Sequence, residues 1–341
     1  AKEKLLVELH GVPTAVANAL RRTINDELRG RCLTFDGGEL DREASTDPFM
    51  ADEDFVRTRV RMIPLRPQVS EAVVKNLRFA LDAENKSDTV ISVYSGDLVI
   101  TEGSLSEPLF NPTHEIASLQ PGRTLRINNI RIVEGTGNQD AAFTVAVRAV
   151  SRPLDLPEVG RAETHVPGGG ATQQSGYAVS SLVANPRKHE ITATLPAVPA
   201  GGGATATVLL DACGLIMKRL RYIQGVLEGA RTRAGQGAGA STHRSANAFF
   251  LVTPDGPNTK GVLGVRNETD TIGNLISRSI YELMPDIGFV AYTCVPHEKM
   301  LRLTVSHSVS EPSEIEPIVT RAVKHAYAIF SQIQQGIRAK A

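Results

Sequence analysis

The chain has 341 residues, 41% of them hydrophobic and 22% charged, a composition typical of a globular protein with about two or three domains. Its 37 basic and 37 acidic residues cancel, which excludes a protein that binds nucleic acid through a global positive field. The wide separation of Cys32, Cys213 and Cys294 excludes a disulfide framework, and no apolar run approaches the ~20 residues of a membrane span. We therefore expect free thiols and a cytosolic or nuclear protein.

The N-terminal region predicts a short strand over residues 5–9 and then an amphipathic helix that starts after Pro13. Apolar residues recur every fourth position on one face of this helix, at Val16, Leu20, Ile24 and Leu28. We expect this face to pack on a core, Arg21 and Arg22 to stay in solvent, and Gly30 to end the helix.

A second helix is predicted over residues 52–62, with Pro64 ending it. Its first turn holds three consecutive carboxylates, which complement the partial positive charge of a helix N-terminus. The triplet also invites comparison with the metal-binding aspartates of polymerase active sites. Consecutive side chains diverge around a helix, however, instead of converging on one Mg²⁺. We favour helix capping over a catalytic role.

The pattern changes from helical to β-type at about Pro67 and stays so to Val150. The predicted strands cover residues 90–93, 98–100, 124–133 and 143–150. They indicate an inserted β-rich domain, and the Gly-, Pro- and Ser-containing stretch 151–184 is assigned to loops.

A long helix is predicted to follow a strand at residues 191–195 and three glycines at 201–203, and to extend to about Glu228. Its apolar residues recur at alternating spacings of four and three, at Leu209, Cys213, Ile216, Leu220, Ile223 and Leu227. Such a seam indicates packing along a second helix. The three glycines lack the lysine of a P-loop and are interpreted as a flexible helix entry.

Residues 229–246 contain Gly, Ala, Ser, Thr and Arg without apolar periodicity and are predicted to be a flexible linker, with a reach of roughly 20 to 25 Å. Arg231 and Arg233 could contact nucleic acid, although a tether without such contacts is the favoured interpretation.

The organisation restarts after the linker. Strands are predicted over residues 249–252, 262–266, 289–295 and 301–305, and a helix starts at Asp270 or Thr271 and stops before Pro285. A final helix opens with a capping box between Ser313 and Glu316. It carries a second seam, at Ile315, Val319, Ala322, Ala326, Ile329 and Ile333. We expect the two seams to pack on each other or on a partner.

Catalytic motifs are absent from the sequence. It contains no Gly-x-Ser-x-Gly elbow, no P-loop and no His-Glu-x-x-His. One alternative is an unrelated enzyme with acid–base chemistry at His114 and Glu115, but no nucleophile or cofactor loop is near in sequence. Another alternative is a free-standing homodimeric interaction protein.

Two stretches resemble signatures of different small subunits of multisubunit RNA polymerases. Residues 18–22, Asn-Ala-Leu-Arg-Arg, are similar to the helix that opens the bacterial alpha subunit, the archaeal D subunit and the third-largest subunit of eukaryotic RNA polymerase II. Residues 267–275, Asn-Glu-Thr-Asp-Thr-Ile-Gly-Asn-Leu, resemble the start of the archaeal L subunit and of the eleventh polymerase II subunit.

Further stretches extend this resemblance over nearly the whole chain. Residues 52–65 resemble the D-like acidic helix that ends in Ile-Pro-Leu, and residues 285–292 and 295–297 resemble the L-like strand and its Val-Pro-His turn. With residues 45–50 and 110–116, the chain resembles the fused subunit of nucleocytoplasmic large DNA viruses of the African swine fever virus type.

The resemblance implies an α+β fold. It contains a split alpha-like dimerisation domain with an inserted β-rich domain, linked to a second, L-like α/β dimerisation domain, and the two form an intrachain pseudo-dimer. The implied ranges are 1–66 and 185–228 for the D-like domain, 67–184 for the insert, 229–246 for the linker and 247–341 for the L-like domain.

The resemblance further implies a non-catalytic assembly platform that binds the largest and second-largest polymerase subunits, which hold the catalytic magnesium, and small subunits like archaeal N and P. DNA and RNA would be contacted only through the complex, without any membrane, in the host cytoplasm at the viral factory, in the virion, or in the nucleus. The implied subunit-contact residues are Asn18, Leu20, Arg21, Arg22, Arg57, Arg59, Ile63, Pro64, Asn267, Glu268, Thr271, Gly273, Asn274 and Leu275.

Two departures from the family pattern stand out. Asp270 occupies a position where relatives often carry histidine. The zinc-loop and iron–sulfur cysteines of some D-like relatives are missing, so we expect no metal and no cofactor in this chain.

Overall fold

The computed structural model describes residues 3–41, 53–66, 71–154, 187–195, 204–234, 242–244, 247–255, 257–295, 297–308 and 314–340. Within these ranges the protein mixes helices with four antiparallel sheets. The helices are α1 (Thr14–Arg22), α2 (Glu53–Arg61), α3 (Glu71–Asn76), α4 (Ala204–Ala234), α5 (Asp270–Leu283) and α6 (Ile315–Lys340).

Fourteen strands are formed by the described residues. They are β1 (Glu3–His10), β2 (Arg29–Thr34), β3 (Arg78–Glu84), β4 (Ile91–Tyr94), β5 (Val99–Glu102), β6 (Glu115–Leu119), β7 (Thr124–Thr136), β8 (Arg148–Pro153), β9 (Lys188–Leu195), β10 (Thr242–Arg244), β11 (Ala248–Asp255), β12 (Asn258–Arg266), β13 (Phe289–Val295) and β14 (Met300–His307).

A three-stranded sheet in the order β1-β9-β8 supports α1. The predicted apolar face of this helix is buried at all four positions, which confirms the period-four pattern. Gly30 does not end the helix: a π-helical turn, Thr23–Glu27, follows α1, and β2 begins at Arg29. A Cβ on Gly30 would lie 1.8 Å from the carbonyl oxygen of Phe143, so the glycine allows close approach of two backbones.

A four-stranded sheet, β2-β7-β3-β5, and the pair β4-β6 share a hydrophobic core of their own with α2. Their pairing departs from the predicted domain boundaries. β2 lies in the range expected for the D-like domain but pairs with β7, whereas β8 lies in the range expected for the insert but pairs with β9. The chain therefore enters the inserted sheet at Arg29, the start of β2, and returns to the first sheet at Arg148, the start of β8.

The predicted strand over residues 143–150 is wrong in its first part. A 3₁₀ turn spans Ala141–Phe143, and Val147, one of the alternating apolar residues, is 59% exposed. Phe143 instead lies under the guanidinium of Arg61, at 5.7 Å from the ring centroid. A tertiary contact thus overrides the local alternation.

The C-terminal sheet has the order β10-β11-β12-β14-β13 and carries α5 and α6. The four strands predicted after the linker all form, with wider bounds for three of them. The predicted linker is wrong at both of its described ends, since α4 continues to Ala234 and Thr242–Arg244 is a strand. Alanine and arginine are strong helix formers, which accounts for the extension.

The two long helices, α4 and α6, pack against each other in antiparallel directions. The Cβ position of Gly214 lies 4.0 Å from Gln334 Nε2, and Arg221, two turns further along α4, reaches Tyr327, two turns earlier on α6. The predicted α4 seam is entirely buried, and on α6 only Ile329 and Ile333 are partly exposed, where Phe330 is buried instead. The first sheet, the C-terminal sheet and helices α1, α4, α5 and α6 consequently share one continuous core.

Some of the sequence expectations lie outside the described residues. They concern Asp52, Ser313, the stretch 45–50 and the glycines 201–203.

Candidate subunit interface and the junction of the two halves

We call residues 3–234 the first half and residues 242–340 the second half. On α1 the side chains of Asn18 and Arg21 form a local unit: Arg21 donates from Nε at 3.0 Å and from Nη2 at 2.9 Å to Asn18 Oδ1. Both residues, with Arg22, are partly exposed. Leu20 has no exposed surface, so it supports α1 from the core and cannot itself touch a partner in this conformation.

The start of α5 carries the second predicted stretch. Asn267 is exposed and has φ of 59°, in the left-handed region that asparagine tolerates. Its backbone N–H donates to the carbonyl oxygen of Lys299 at 2.6 Å. Asn274 is partly exposed, whereas Thr271 and Leu275 are buried. Asn267 and Asn274 are therefore the accessible members of this set.

Gly273 allows α5 to lie directly on the C-terminal sheet. An added Cβ would lie 2.6 Å from Tyr292 Cδ2 and 2.7 Å from Leu301 Cδ1. The glycine is needed for packing, which the resemblance alone does not indicate.

The structure brings the two predicted stretches together, because α1 contacts α5. Arg22 Nη2 and Asp270 Oδ2 lie 3.9 Å apart, and both side chains are partly in solvent. An exposed ion pair of this kind contributes little to stability. The Asp270 carboxylate nevertheless faces Arg22 at the position where a histidine was expected.

Beneath this contact lies a buried polar cluster that the sequence did not reveal. Glu27, in the π-helical turn, accepts hydrogen bonds from the hydroxyls of Thr23 at 3.1 Å, Thr269 at 2.8 Å and Thr271 at 2.7 Å. Arg219 Nη1, on α4, donates to Glu27 Oε2 at 2.6 Å. Burial raises the pKa of Glu27, but Arg219 and the three hydroxyls together hold the pKa below its ordinary value.

Glu268 is the second carboxylate of this cluster. Its Oε2 lies 3.5 Å from Arg219 Nε, and its side chain is only 8% exposed. Burial raises the pKa of Glu268 to about 7; Arg219 opposes this rise and the charge of Glu27 adds to it. One guanidinium thus serves two carboxylates, one from each half. Glu268, predicted as a subunit contact, lies inside this junction.

Arg57, Arg59, Ile63 and Pro64 lie on or directly after α2, whose apolar face belongs to the separate core of the inserted sheet. Arg57 donates to the carbonyl oxygen of Phe35 at 3.1 Å, stacks over its ring and pairs with Glu53 and Asp54. Arg59 donates to the carbonyl oxygens of Glu115 at 3.0 Å and Ile116 at 3.4 Å. Ile63 is buried and Pro64 is partly exposed. Both arginines therefore already have intramolecular partners.

The His114 and Glu115 side chains have different surroundings, and among the described residues His114 Nε2 is buried without a hydrogen-bond partner. Glu115 Oε1 accepts from the hydroxyls of Ser92 at 3.0 Å and Ser118 at 2.8 Å. Burial, and then the charge of Arg59, lowers the pKa of His114. No acid–base pair forms between the two side chains, so the geometry does not favour the enzyme alternative.

Comparison with known proteins decides the family. No protein-family model matches the chain. A curated protein of African swine fever virus from a Kenyan pig isolate, the DNA-directed RNA polymerase RPB3-11 homolog, is 33% identical over 336 residues, which cover 98% of this chain and 87% of that protein. The homologue of the same name from a Malawian tick isolate is 32% identical over the same extent. The chain belongs to this RPB3-11 family of RNA polymerase subunits.

The aligned region includes both halves and the inserted sheet, which confirms the resemblance seen in the motifs. None of the described helices of the chain has the length and apolarity that crossing a membrane requires. In the same described residues, no three His, Cys, Asp or Glu side chains are grouped so that they could hold a metal ion.

Proposed function

We propose that this chain is the assembly platform of a viral DNA-directed RNA polymerase and that its two halves form an intrachain pseudo-dimer. It brings the largest and second-largest subunits together, takes no part in nucleotide addition itself, and requires no cofactor. The catalytic magnesium belongs to the large subunits.

One observation carries this proposal: corresponding helices of the two halves contact each other across the junction. α1 of the first half meets α5 of the second, and α4 meets α6 in antiparallel directions. Each half contributes one shorter helix, one long helix and an antiparallel sheet to the shared core. A two-fold relation between similar units produces this pattern of self-complementary contacts.

The α1–α5 contact also supplies a polar surface for a partner. Arg21, fixed by Asn18, and Arg22 remain partly exposed on the first half, and Asn267 and Asn274 on the second. Arginine is frequent among the residues that dominate binding energy at interfaces. We assign this surface to the second-largest subunit. Small subunits resembling archaeal N and P bind elsewhere on the platform. DNA and RNA contact the platform only through the complex. The complex works in the cytoplasmic viral factory and is packaged in the virion.

Replacement of Arg21 and Arg22 by alanine tests the assignment. The matched control is Arg338→Ala, an exposed arginine near the end of α6. The double variant is expected to keep its melting temperature within a few degrees and to bind the second-largest subunit at least about tenfold more weakly. Normal binding by the folded double variant would remove the contact assignment. Template-dependent synthesis by the pure chain would overturn the non-catalytic role.

The main alternative, a free-standing homodimeric interaction protein, is tested by purifying the native complex from infected cells. Recovery of a dimer of this chain without large polymerase subunits would favour that alternative. Recovery with both large subunits would exclude it.

A further inference from the structure

The C-terminal sheet has one face that is turned away from the shared core. Along β11, β12, β14 and β13, buried core positions alternate with positions on the opposite side, which we call the outer face. The strand register aligns the outer face in four rows: Arg266, Met300 and Val295; Phe249, Gly264, Arg302 and Thr293; Leu251, Val262, Thr304 and Ala291; and Thr253, Lys260, Ser306 and Phe289.

Apolar side chains occupy the middle of the outer face. Leu251, 37% exposed, lies beside the half-buried Val262, and Phe289, 50% exposed, lies in the last row. The ring of Phe249 covers Gly264, since a Cβ at this glycine would lie 2.2 Å from Phe249 Cε1. None of these described side chains is part of the shared core. A contiguous apolar patch of this kind marks an interaction surface more often than an isolated exposed side chain does.

Every charged residue in the four rows is basic. Lys260 and Arg266 lie six residues apart on β12, about 20 Å in an extended strand, and neither has an ion-pair partner among the described residues. Arg302, between them on the neighbouring β14, pairs with Glu298 in an exposed contact that contributes little. The bordering carboxylates, Glu298 and Asp255, lie in a turn and at the end of β11. The outer face therefore has an excess of positive charge.

The outer face of the first sheet serves as an internal reference. There the register aligns Glu8 with Glu190, and Arg152 pairs with Glu190 at 3.3 Å. The adjacent row contains the exposed Leu6 and, in the middle strand, Thr192. Charges of both signs that compensate each other are typical of a sheet face that stays in solvent. The charge of a single sign on the outer face of the C-terminal sheet instead matches a partner of the opposite sign.

We propose that the outer face of the C-terminal sheet binds an amphipathic helix of another polymerase subunit, with an apolar stripe and a carboxylate towards each end. A helix diameter of about 10 Å fits within the roughly 14 Å between β11 and β13. The apolar stripe covers Leu251 and Val262, and carboxylates about thirteen residues apart meet Lys260 and Arg266. This inference rests on the proposed function, because the partner belongs to the same complex.

Other occupants match the outer face less well. Single-stranded nucleic acid is bound by closely spaced cations along its backbone and by aromatic rings that stack on the bases. Lys260 and Arg266 are too far apart for successive phosphates, and the ring of Phe249 is engaged with Gly264. A second copy of the chain, joined face to face, would bring like charges together.

Photocrosslinking in the assembled polymerase tests the proposal. p-Benzoylphenylalanine replaces Val262, in the middle of the outer face, and the full chain is purified with its complex from infected cells. The matched control places the same group at Thr192, in the middle strand of the first sheet. We expect position 262 to crosslink to a polymerase subunit, in a segment with apolar residues at helical spacing and carboxylates about thirteen residues apart. Position 192 should give no such crosslink.

Three results would overturn the proposal. They are a crosslink from position 262 to nucleic acid, a crosslink to a second copy of the chain, and no crosslink in a complex that contains both large subunits. Recovery of the chain without the large subunits would remove the proposed function and this inference with it.

Charge variants test the role of the two free cations. Lys260→Glu with Arg266→Glu is expected to lower the yield of the crosslink at position 262 by about tenfold, and the corresponding double glutamine variant by less. Arg148→Glu with Arg338→Glu, two exposed arginines outside the outer face, is the matched control. All of these variants should keep their melting temperature within a few degrees, since exposed charges contribute little to stability. Equal yields from the charge-reversed variant and its control would contradict the assignment.

Discussion

The junction of the two halves and the inserted sheet use the same kinds of residue in opposite ways. At the junction, arginine and carboxylates are buried among four helices: Arg219 joins Glu27 and Glu268. In the inserted sheet, the arginines of α2 lie on the outside of a separate core. The carboxylates near β5 are exposed to solvent. The difference indicates that the junction packs as one unit with both sheets that flank it, whereas the inserted sheet has a hydrophobic core of its own.

The largest effect is expected from a charged side chain placed in the buried seam between α4 and α6. Leu220 has no exposed surface on α4, so Leu220→Asp buries a carboxylate without a partner. We expect a loss of unfolding free energy of about 4 kcal/mol for the unit that contains the junction, measured by urea denaturation. Tyr222→Asp, at a residue 46% exposed on the same helix, should change stability little. Equal stability of the two variants would mean that the seam does not hold the halves together.

Removal of the shared guanidinium is expected to have a somewhat smaller effect. Arg219→Met keeps much of the side-chain volume but leaves Glu27 with only its hydroxyl partners, and we expect a cost of about 3 kcal/mol. Lys218→Met, at the exposed neighbour, is the matched control. The double variant Arg219→Met with Glu27→Gln should recover part of the loss, since position 27 then no longer carries a buried charge without a cationic partner. A double variant that is less stable by the sum of two independent losses would contradict the cluster.

The pH dependence of stability sharpens the comparison further. The folded-state pKa of Glu268, about 7, lies above its reference value of 4.5, so the folded protein binds the proton more tightly than the unfolded chain. This contribution is fully present below pH 4.5, declines as the pH rises to about 7, and is absent above it, with a size of about 3 kcal/mol. The lowered pKa of Glu27 acts in the opposite direction, because its contribution is lost as the pH falls below 4.5.

Glu268→Gln isolates this effect. The variant should show a flatter stability profile between pH 5 and pH 7 than the parent chain and should be the more stable protein at about pH 8, both measured by urea denaturation. Glu298→Gln, at an exposed carboxylate that pairs with Arg302, serves as the control. Identical slopes for the parent and Glu268→Gln would show that Glu268 does not hold a proton in the folded state.

The smallest effect is expected in the inserted module. Arg57→Ala removes the hydrogen bond to the carbonyl oxygen of Phe35 and the stacking on its ring, and should cost about 1 kcal/mol. Amide hydrogen exchange should increase in α2 and at the end of β2 and stay unchanged in α4 and α6, because the two cores are separate. Lys86→Ala, fully outside this contact, should change neither region.

Periodic apolar patterns could be read directly from the sequence. The period-four face of α1 and the four–three seams of α4 and α6 depend on residues close in sequence, and the structure buries all of them except Ile329 and Ile333 of α6, which are partly exposed. The glycines show the limit of that approach. Gly30 and Gly273 occur where backbone or ring atoms from distant residues approach, and nothing local distinguishes them from a helix stop or a polar surface. The motifs lie on α1 and at the start of α5, but the resemblance predicted neither the contact between these helices nor that Leu20 and Leu275 point inward.

The polar cluster was beyond sequence reasoning for a related reason. Glu27 follows a helical apolar pattern, Arg219 stands in a run of basic residues on α4, and Thr269 and Thr271 resemble helix caps. Their common function appears only when three distant segments meet around one carboxylate. Edge strands such as β5 could not be predicted from the sequence either, because a strand is known to lie at an edge only when the pairing of the whole sheet is known.

The register of the first sheet has a consequence for synthesis of the chain on the ribosome. Glu3 pairs with Leu195 and His10 with Lys188, so β1 has no partner strand in its sheet until β9 has emerged. At ordinary translation rates this interval is roughly 10 to 40 s. The inserted sheet, whose strands lie between Arg29 and Thr136, is complete earlier in synthesis. The order of folding is therefore expected to run from the middle of the chain outward, and the N-terminal strand, with Leu6 exposed, is among the last parts to find its place.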